Sequence, residues 1–407
     1  MPAEIAVTGL GLVTPAGHTP EENWAALCRA RSLAARDPGL AGLPVDFSCR
    51  VTGFDAAAEL GPSRARRVDP FIQFALVAAR RAVADAGLPT GRPLGERVGV
   101  VLGVGSNCLS TYVTEFGHLG AGRAERVSPL ALPRSVPSMA AGEVAIDLGA
   151  QGPAFTTASA CASGATALGV ARDLLRSGTC DIVLAGGGES GRSRMAVTCF
   201  TRMRALSRRR DEPALASRPF DARRDGLVLA EGAAVLVLER ADHARARRAP
   251  ALAVLRGYGA GSDAHHPVAP HPGGEGAARA ITAALVDAGC RPGDIGHVNA
   301  HGTSTALSDA AEAAALVRVF GDGVPPVTAS KGVIGHSLGA AGAIQAAYTV
   351  LALRHGAVPP VANFEGQDGD HKLDIVAGRP RPAAADAAVS CSFGFGGHNA
   401  VLLFTVG

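Results

Sequence analysis

Short apolar runs and longer helix-like segments alternate along all 407 residues, which restricts the chain to layered α/β architectures. Strand candidates are 5–8, 98–102, 182–185, 234–238, 298–300, 388–392 and 400–404. Helix candidates are 71–86, 162–176, 276–288, 308–320 and 338–354, and a glycine soon follows each one, the usual C-terminal stop. Such alternation predicts largely parallel strands. A turn holding Cys161 and another holding His336 each lead into an alanine-rich helix. The chain therefore reads as two related halves, 1–250 and 251–407, with 251–261 as the junction. The apolar share of 47 % supplies an ample core with only 4 % aromatics.

Several classes are excluded early. A net charge of +3, with no basic run interleaved with aromatics, gives no footprint for nucleic acid. Arg208, Arg209 and Arg210 read as a solvated loop. No segment reaches the roughly 18 uninterrupted apolar residues of a membrane span, and the start lacks the pattern of a signal peptide. The eight cysteines, at 28, 49, 108, 161, 180, 199, 290 and 391, form no Cys-x-x-Cys pair, so neither a zinc site nor a disulfide frame is indicated. A cytoplasmic location with reduced thiols is expected. All cysteines except Cys161 read as buried structural residues.

Three segments carry the chemistry. Cys161 lies in Ser159-Ala160-Cys161-Ala162-Ser163-Gly164, entering a helix, where the positive helix end favours a thiolate. His301 is followed by Gly302, Thr303, Ser304 and Thr305, whose hydroxyls suit the amides of a bound arm. His336 stands before a helix start, which disfavours the imidazolium. Lysine occurs only at 331 and 372 among 39 basic residues, so Lys331, close to His336, reads as a site that needs a compact ammonium. Phe393, Gly394, Phe395, Gly396, Gly397 and His398 form a glycine-rich turn whose backbone can approach a substrate closely. Two motifs compete with this set. Gly9-Leu10-Gly11 lacks the third glycine of a dinucleotide loop, and Gly335-His336-Ser337-Leu338-Gly339 matches the Gly-x-Ser-x-Gly nucleophile elbow.

Taken together, these segments resemble the β-ketoacyl-acyl carrier protein synthases, closest to the synthase II type and to ketosynthases of type II polyketide systems. The resemblance runs over almost the whole chain, from the opening Val7-Thr8-Gly9-Leu10-Gly11 through 204–232 to everything between Val298 and Phe404. It implies a thiolase-like α/β fold, two related βα halves with mixed sheets in an α/β/α/β/α arrangement. It also implies a homodimer, or a heterodimer with a chain-length-factor-like subunit, and an acyl carrier protein as partner. In that family's roles Cys161 takes the acyl chain, while His301 and His336 stabilise the enolate left by malonyl decarboxylation. The N–H groups of Cys161 and Phe395 form the oxyanion hole, and Lys331 positions the His336 region. Thr303 and Thr305 bind the pantetheine arm, Phe395 is the gating ring, Phe393 and His398 count among the substrate-binding residues, and Phe200 and Ser106 line the acyl pocket. Arg64, Arg66 and Arg67 match the carrier-docking patch. No metal or redox cofactor is implied, because decarboxylation supplies the carbanion.

Departures from the family pattern point to a specialised pathway. Gln345 replaces a glutamate that pairs with the lysine, His398 replaces a threonine, and Ser106 is smaller than the branched residue that often limits the pocket. The alternatives are a Ser337 hydrolase or transacylase, a non-catalytic chain-length-factor-like subunit, and a thiolase, for which Cys391 is a poor second cysteine.

Overall fold

The computed structural model describes residues 3–106, 109–369, 372–383 and 386–407, and Cys108 lies outside them. Ten strands join in one sheet. They are β1 (Ile5–Val13), β2 (Val98–Gly103), β3 (Ala154–Thr157), β4 (Ile182–Ser190), β5 (Glu231–Arg240), β6 (Ala253–Ser262), β7 (His297–Asn299), β8 (Val327–Thr328), β9 (Ala387–Gly394) and β10 (His398–Thr405). Their spatial order is β8-β7-β9-β10-β6-β1-β5-β4-β2-β3. Only Ala6 with Val254 and Val7 with Ala253 pair β1 to β6, so the sheet divides there into two five-stranded halves. The stretch read as a junction, 251–261, thus mostly forms β6.

The strands are not largely parallel. Pairs β2–β3, β2–β4, β7–β8 and β7–β9 are parallel, whereas β1–β5, β1–β6, β4–β5, β6–β10 and β9–β10 are antiparallel. Alternation of element types reveals parallel crossovers. It is blind to strands such as β4 and β5, which meet antiparallel across a long connection.

Five of the helices among the described residues build most of the layers: α1 (Pro70–Asp85), α2 (Ser163–Arg176), α3 (Glu275–Ala288), α4 (Ala306–Phe320) and α5 (Ala341–His355). Three apolar clusters fill the spaces between them. Ala75, Ala78 and Ala82 of α1 pack on Val100, Leu184 and Val235. Leu168 of α2 and Ile344 and Ala347 of α5 pack between Leu236 on one side and Leu402 on the other. Ala280 and Ala284 of α3 and Leu316 of α4 cover Val389 and Val401. The layers therefore run α/β/α/β/α. Every residue of α5 from Ala341 to Leu353 is buried, as the middle layer requires.

Close packing explains Gly9 and Gly11. A Cβ on either would lie 2.4 Å from the Ala82 carbonyl oxygen or 1.8 Å from that of Ala78, both on α1. Gly257 and Gly259 of β6 stand in the same relation to α3, at 2.3 Å from the Ala284 oxygen and 2.0 Å from the Ala280 oxygen. The glycine pair is a packing device used once in each half. Among the described residues no helix is long and apolar enough to cross a membrane.

Candidate active site

Cys161 lies at the join between β3 and α2, in a turn where Ala160 takes φ 49°. Hydroxyls fix that turn. The Ser159 N–H donates to Ser163 Oγ at 2.9 Å, Ser163 Oγ donates to the Ala160 carbonyl at 2.6 Å, and Thr157 Oγ1 donates to the Ser163 carbonyl at 2.8 Å. Cys161 is 6 % exposed and lines a cavity of about 330 Å³ together with His301, His336, Phe393 and Phe395. The backbone N–H groups of Phe395 and of Cys161 itself favour its ionised form. Burial pushes the thiol up to about 11, against the pull of the Lys331 charge and of those two N–H groups. The helix start therefore does not yield a resting thiolate, because desolvation outweighs it.

The turn between β9 and β10 brings Phe395 to the cysteine. A Cβ on Gly394 would lie 2.7 Å from the Ser159 carbonyl oxygen and 3.0 Å from the Cys161 nitrogen, so only glycine permits this approach. Gly396 and Gly397 take φ of 80° and 72°. The ring of Phe395 stacks on Phe200, with centroids 5.8 Å apart and planes at 25°.

His301 and His336 face each other edge to face, with ring centroids 5.4 Å apart. The Leu338 N–H donates to His336 Nδ1 at 3.2 Å, and Lys331 Nζ approaches His301 Nδ1 at 3.4 Å. With each Nδ1 facing a donor, each ring carries its proton on Nε2 and can donate it. Burial, reinforced by the charge of Lys331, holds both imidazoles well below their usual pKa and thus neutral. Lys331 Nζ also donates to the His301 carbonyl and to Gln345 Oε1. The lysine thus supports His301 directly, rather than His336, the residue nearer in sequence.

Two buried acids on α4 complete this floor and were not picked out from the sequence. Glu312 accepts from the N–H groups of His301 at 2.7 Å and Gly302 at 2.8 Å, and it attracts the charge of Lys331. Asp309 accepts from the N–H groups of Phe220 at 2.7 Å and Ser304 at 3.1 Å. Their signal was available: two acids three residues apart in an otherwise alanine-rich helix face.

The remaining sequence candidates divide. Thr303, Thr305 and Phe200 line the same cavity, and the two threonine hydroxyls lie 2.9 Å apart. Ser106 does not line it: its hydroxyl donates to Glu189 at 3.0 Å. His398 is exposed outside the lining, with its ring against Gly396. Arg64 is bound to Glu143 and Asp147, whereas Arg66 and Arg67 on the same short helix, Pro62–Arg67, are exposed. Ser337 does not line the cavity, takes an ordinary φ of −87°, and its buried Oγ has no hydrogen-bond partner among the described residues. The elbow motif therefore lacks both the strained nucleophile and an adjacent base. Cys49, Cys180 and Cys391 are buried as expected, but Cys28 and Cys290 are half-buried and Cys199 is exposed. Among the described residues no group of three His, Cys, Asp or Glu side chains is placed to hold a metal ion.

Comparison with known proteins agrees over nearly the whole chain. Residues 3–244 match the family described as Beta-ketoacyl synthase, N-terminal domain, and 252–365 match Beta-ketoacyl synthase, C-terminal domain. The 3-oxoacyl-[acyl-carrier-protein] synthase 2 of Synechocystis sp. is 39 % identical over 98 % of this chain and 97 % of its own. The enzyme of the same name from Staphylococcus aureus is 38 % identical over the same shares. Among solved structures, the ishigamide ketosynthase/chain length factor superposes with TM-score 0.94 at 34 % identity, covering 100 % of both chains. A type II polyketide ketosynthase, solved in complex with its acyl-carrier protein and bound to the hexaketide, superposes with TM-score 0.89 at 29 % identity, again covering 100 % of both. The chain belongs to the β-ketoacyl synthase family, ketosynthase acyltransferases of the thiolase-like fold.

Proposed function

We propose that the protein condenses malonyl-acyl carrier protein with an acyl chain held on Cys161, in a specialised type II polyketide or polyene pathway. The observation that carries the reaction is the meeting, in one cavity, of the Cys161 thiol, the Phe395 backbone and two neutral Nε2–H donors. Loading breaks the carrier thioester and forms the Cys161 thioester, and the thiol proton leaves on the carrier thiol. In the second half-reaction the malonyl C–C bond breaks, carbon dioxide departs, and His301 and His336 stabilise the enolate oxygen. The enolate carbon attacks the acyl carbonyl, whose oxyanion is held by the N–H groups of Cys161 and Phe395. Collapse expels the Cys161 sulfur as thiolate, which takes up one proton from water to restore the thiol.

Thr303 and Thr305 sit where a pantetheine arm would pass, and exposed Arg66 and Arg67 suit an acidic carrier protein. A two-chain assembly is supported by the free edge of β3, where Phe155 is 37 % exposed, and by exposed Val113, Phe116 and Leu119 on the helix Leu109–Gly120. The division at 1–250 and 251–407 fits five strands in each half. The specialised pathway is favoured by the departures at Gln345 and His398 and by likeness to polyketide ketosynthases. Competition between saturated and polyene or β-keto acyl-carrier substrates tests it. Higher kcat/KM for the unsaturated or keto chains supports the proposal, and preference for saturated chains returns the protein to fatty-acid synthesis.

A further inference from the structure

Glu189, near the end of β4, is fully buried, yet no arginine or lysine pairs with it among the described residues. Its carboxylate instead collects donors from two turns. Oε2 accepts from the N–H groups of Gly105 at 2.8 Å, Ser106 at 3.0 Å and Gly339 at 3.3 Å, and Oε1 accepts from Ser106 Oγ at 3.0 Å. One turn follows β2; the other follows His336. They are pressed together around the carboxylate: a Cβ on Gly339 would lie 2.1 Å from the Gly105 nitrogen and 2.9 Å from Glu189 Oε2.

We propose that Glu189, with the Ser106 hydroxyl bound to it, is a positioning residue that clamps the His336 turn in place and sets the charge felt by the Cys161 thiol. The proposal rests on the roles given above to Cys161 and His336. A carboxylate with four donors and no counter-ion is a clamp that can also titrate. Burial raises Glu189 to about 7, against the pull of its donors. The charged groups that act on Cys161 are Lys331, which lowers its pKa, and Glu189, which raises it; His301 and His336 are neutral. In this chain Ser106 is therefore a ligand of the clamp, not a bare pocket floor.

Cys161 alkylation by iodoacetamide, followed by peptide mass across a pH series, tests this in the parent chain, Glu189→Gln and Ser106→Ala. Removing the negative charge in Glu189→Gln is expected to lower the alkylation midpoint by about one pH unit. The amide in that variant would also offer fewer acceptors than the carboxylate, so kcat for condensation should fall about 10–100-fold with little change in KM for either carrier substrate. Ser106→Ala removes one donor from the carboxylate, yet Glu189 stays ionised where the thiol titrates, so the midpoint should hold while kcat falls by a smaller factor than in Glu189→Gln, with KM unchanged. In Glu189→Gln a merely structural role would lower melting temperature and leave the midpoint in place, and that result overturns the proposal. Should Glu189→Gln fail to fold, a kcat in Ser106→Ala equal to that of the parent overturns it equally. Failure of the parent chain to carry an acyl group on Cys161 would instead sink the functional reading, while the alkylation midpoints still decide whether Glu189 governs the thiol.

Discussion

Lys331 and Gln345 meet directly beneath His301, with the ammonium donating to the amide oxygen. The Gln345 amide nitrogen is spent on the carbonyls of Ala300 at 2.9 Å and Cys391 at 3.1 Å, which fixes its orientation. Gln345 thus supplies the acceptor that a glutamate would, and leaves the negative charge to Glu312. Gln345→Glu should raise the pKa of Lys331 but turn a carboxylate toward those two carbonyls. The expected result is a melting temperature lowered by the equivalent of about 1–3 kcal/mol, as for buried polar groups left unpaired, with decarboxylation retained to higher pH. Calorimetry and a pH-rate series check both parts.

The two half-reactions should respond oppositely to alkali. Burial lowers Lys331 to about 8, although Glu312 pulls it upward, while burial holds the Cys161 thiol at about 11. As pH rises from 7 to 9, Lys331 loses its proton and the thiolate fraction of Cys161 grows. Malonyl decarboxylation is therefore expected to decline while acyl loading accelerates, and separate assays of the two steps read this out. No acid limb near 6.5 should come from His301 or His336, since both stay neutral well below that value.

Gly394 is where the oxyanion turn presses on the cysteine backbone. Gly394→Ala must displace either the Ser159 carbonyl or the Cys161 amide, moving the Phe395 N–H off the sulfur. Loss of one such donor costs about 10²–10³ in rate. Single-turnover condensation should fall by that order, and a rate within threefold of the parent would remove Phe395 from the oxyanion hole.

Much of this arrangement was legible in the sequence because its chemistry depends on rare local patterns. Cys161 between small residues, His301 before three hydroxyls and a lone lysine near His336 each stood out, and all four residues converge on one floor. The long buried helices were readable from their periodicity and closing glycines. Glu312 and Glu189 were not, since their importance comes from backbone donors supplied by turns remote in the chain. The antiparallel pairings escaped for the same reason. Ser106 was assigned to the pocket by position alone, and only the fold shows its hydroxyl turned to Glu189.

The arginines of the helix Pro62–Arg67 should separate into two kinds. Arg64→Ala removes the partner of Glu143 and one of the two arginines on Asp147, the other being Arg80, and should lower the melting temperature with little effect on carrier turnover. Reversing Arg66 and Arg67 to Glu should leave stability unchanged and cut kcat/KM for carrier-bound substrates about tenfold at low salt, because rim charges act mainly on association. A small-molecule thioester should be turned over as before; equal losses on both substrates would refute docking there.

The atom that takes the acyl group decides between a condensing enzyme and its rivals. Incubation with acyl-carrier protein, then intact mass and peptide mapping, is the most direct measurement. One acyl group is expected on Cys161, absent in Cys161→Ala and retained in Ser337→Ala. An acyl group mapped to Ser337, or loading that survives Cys161→Ala, would contradict it.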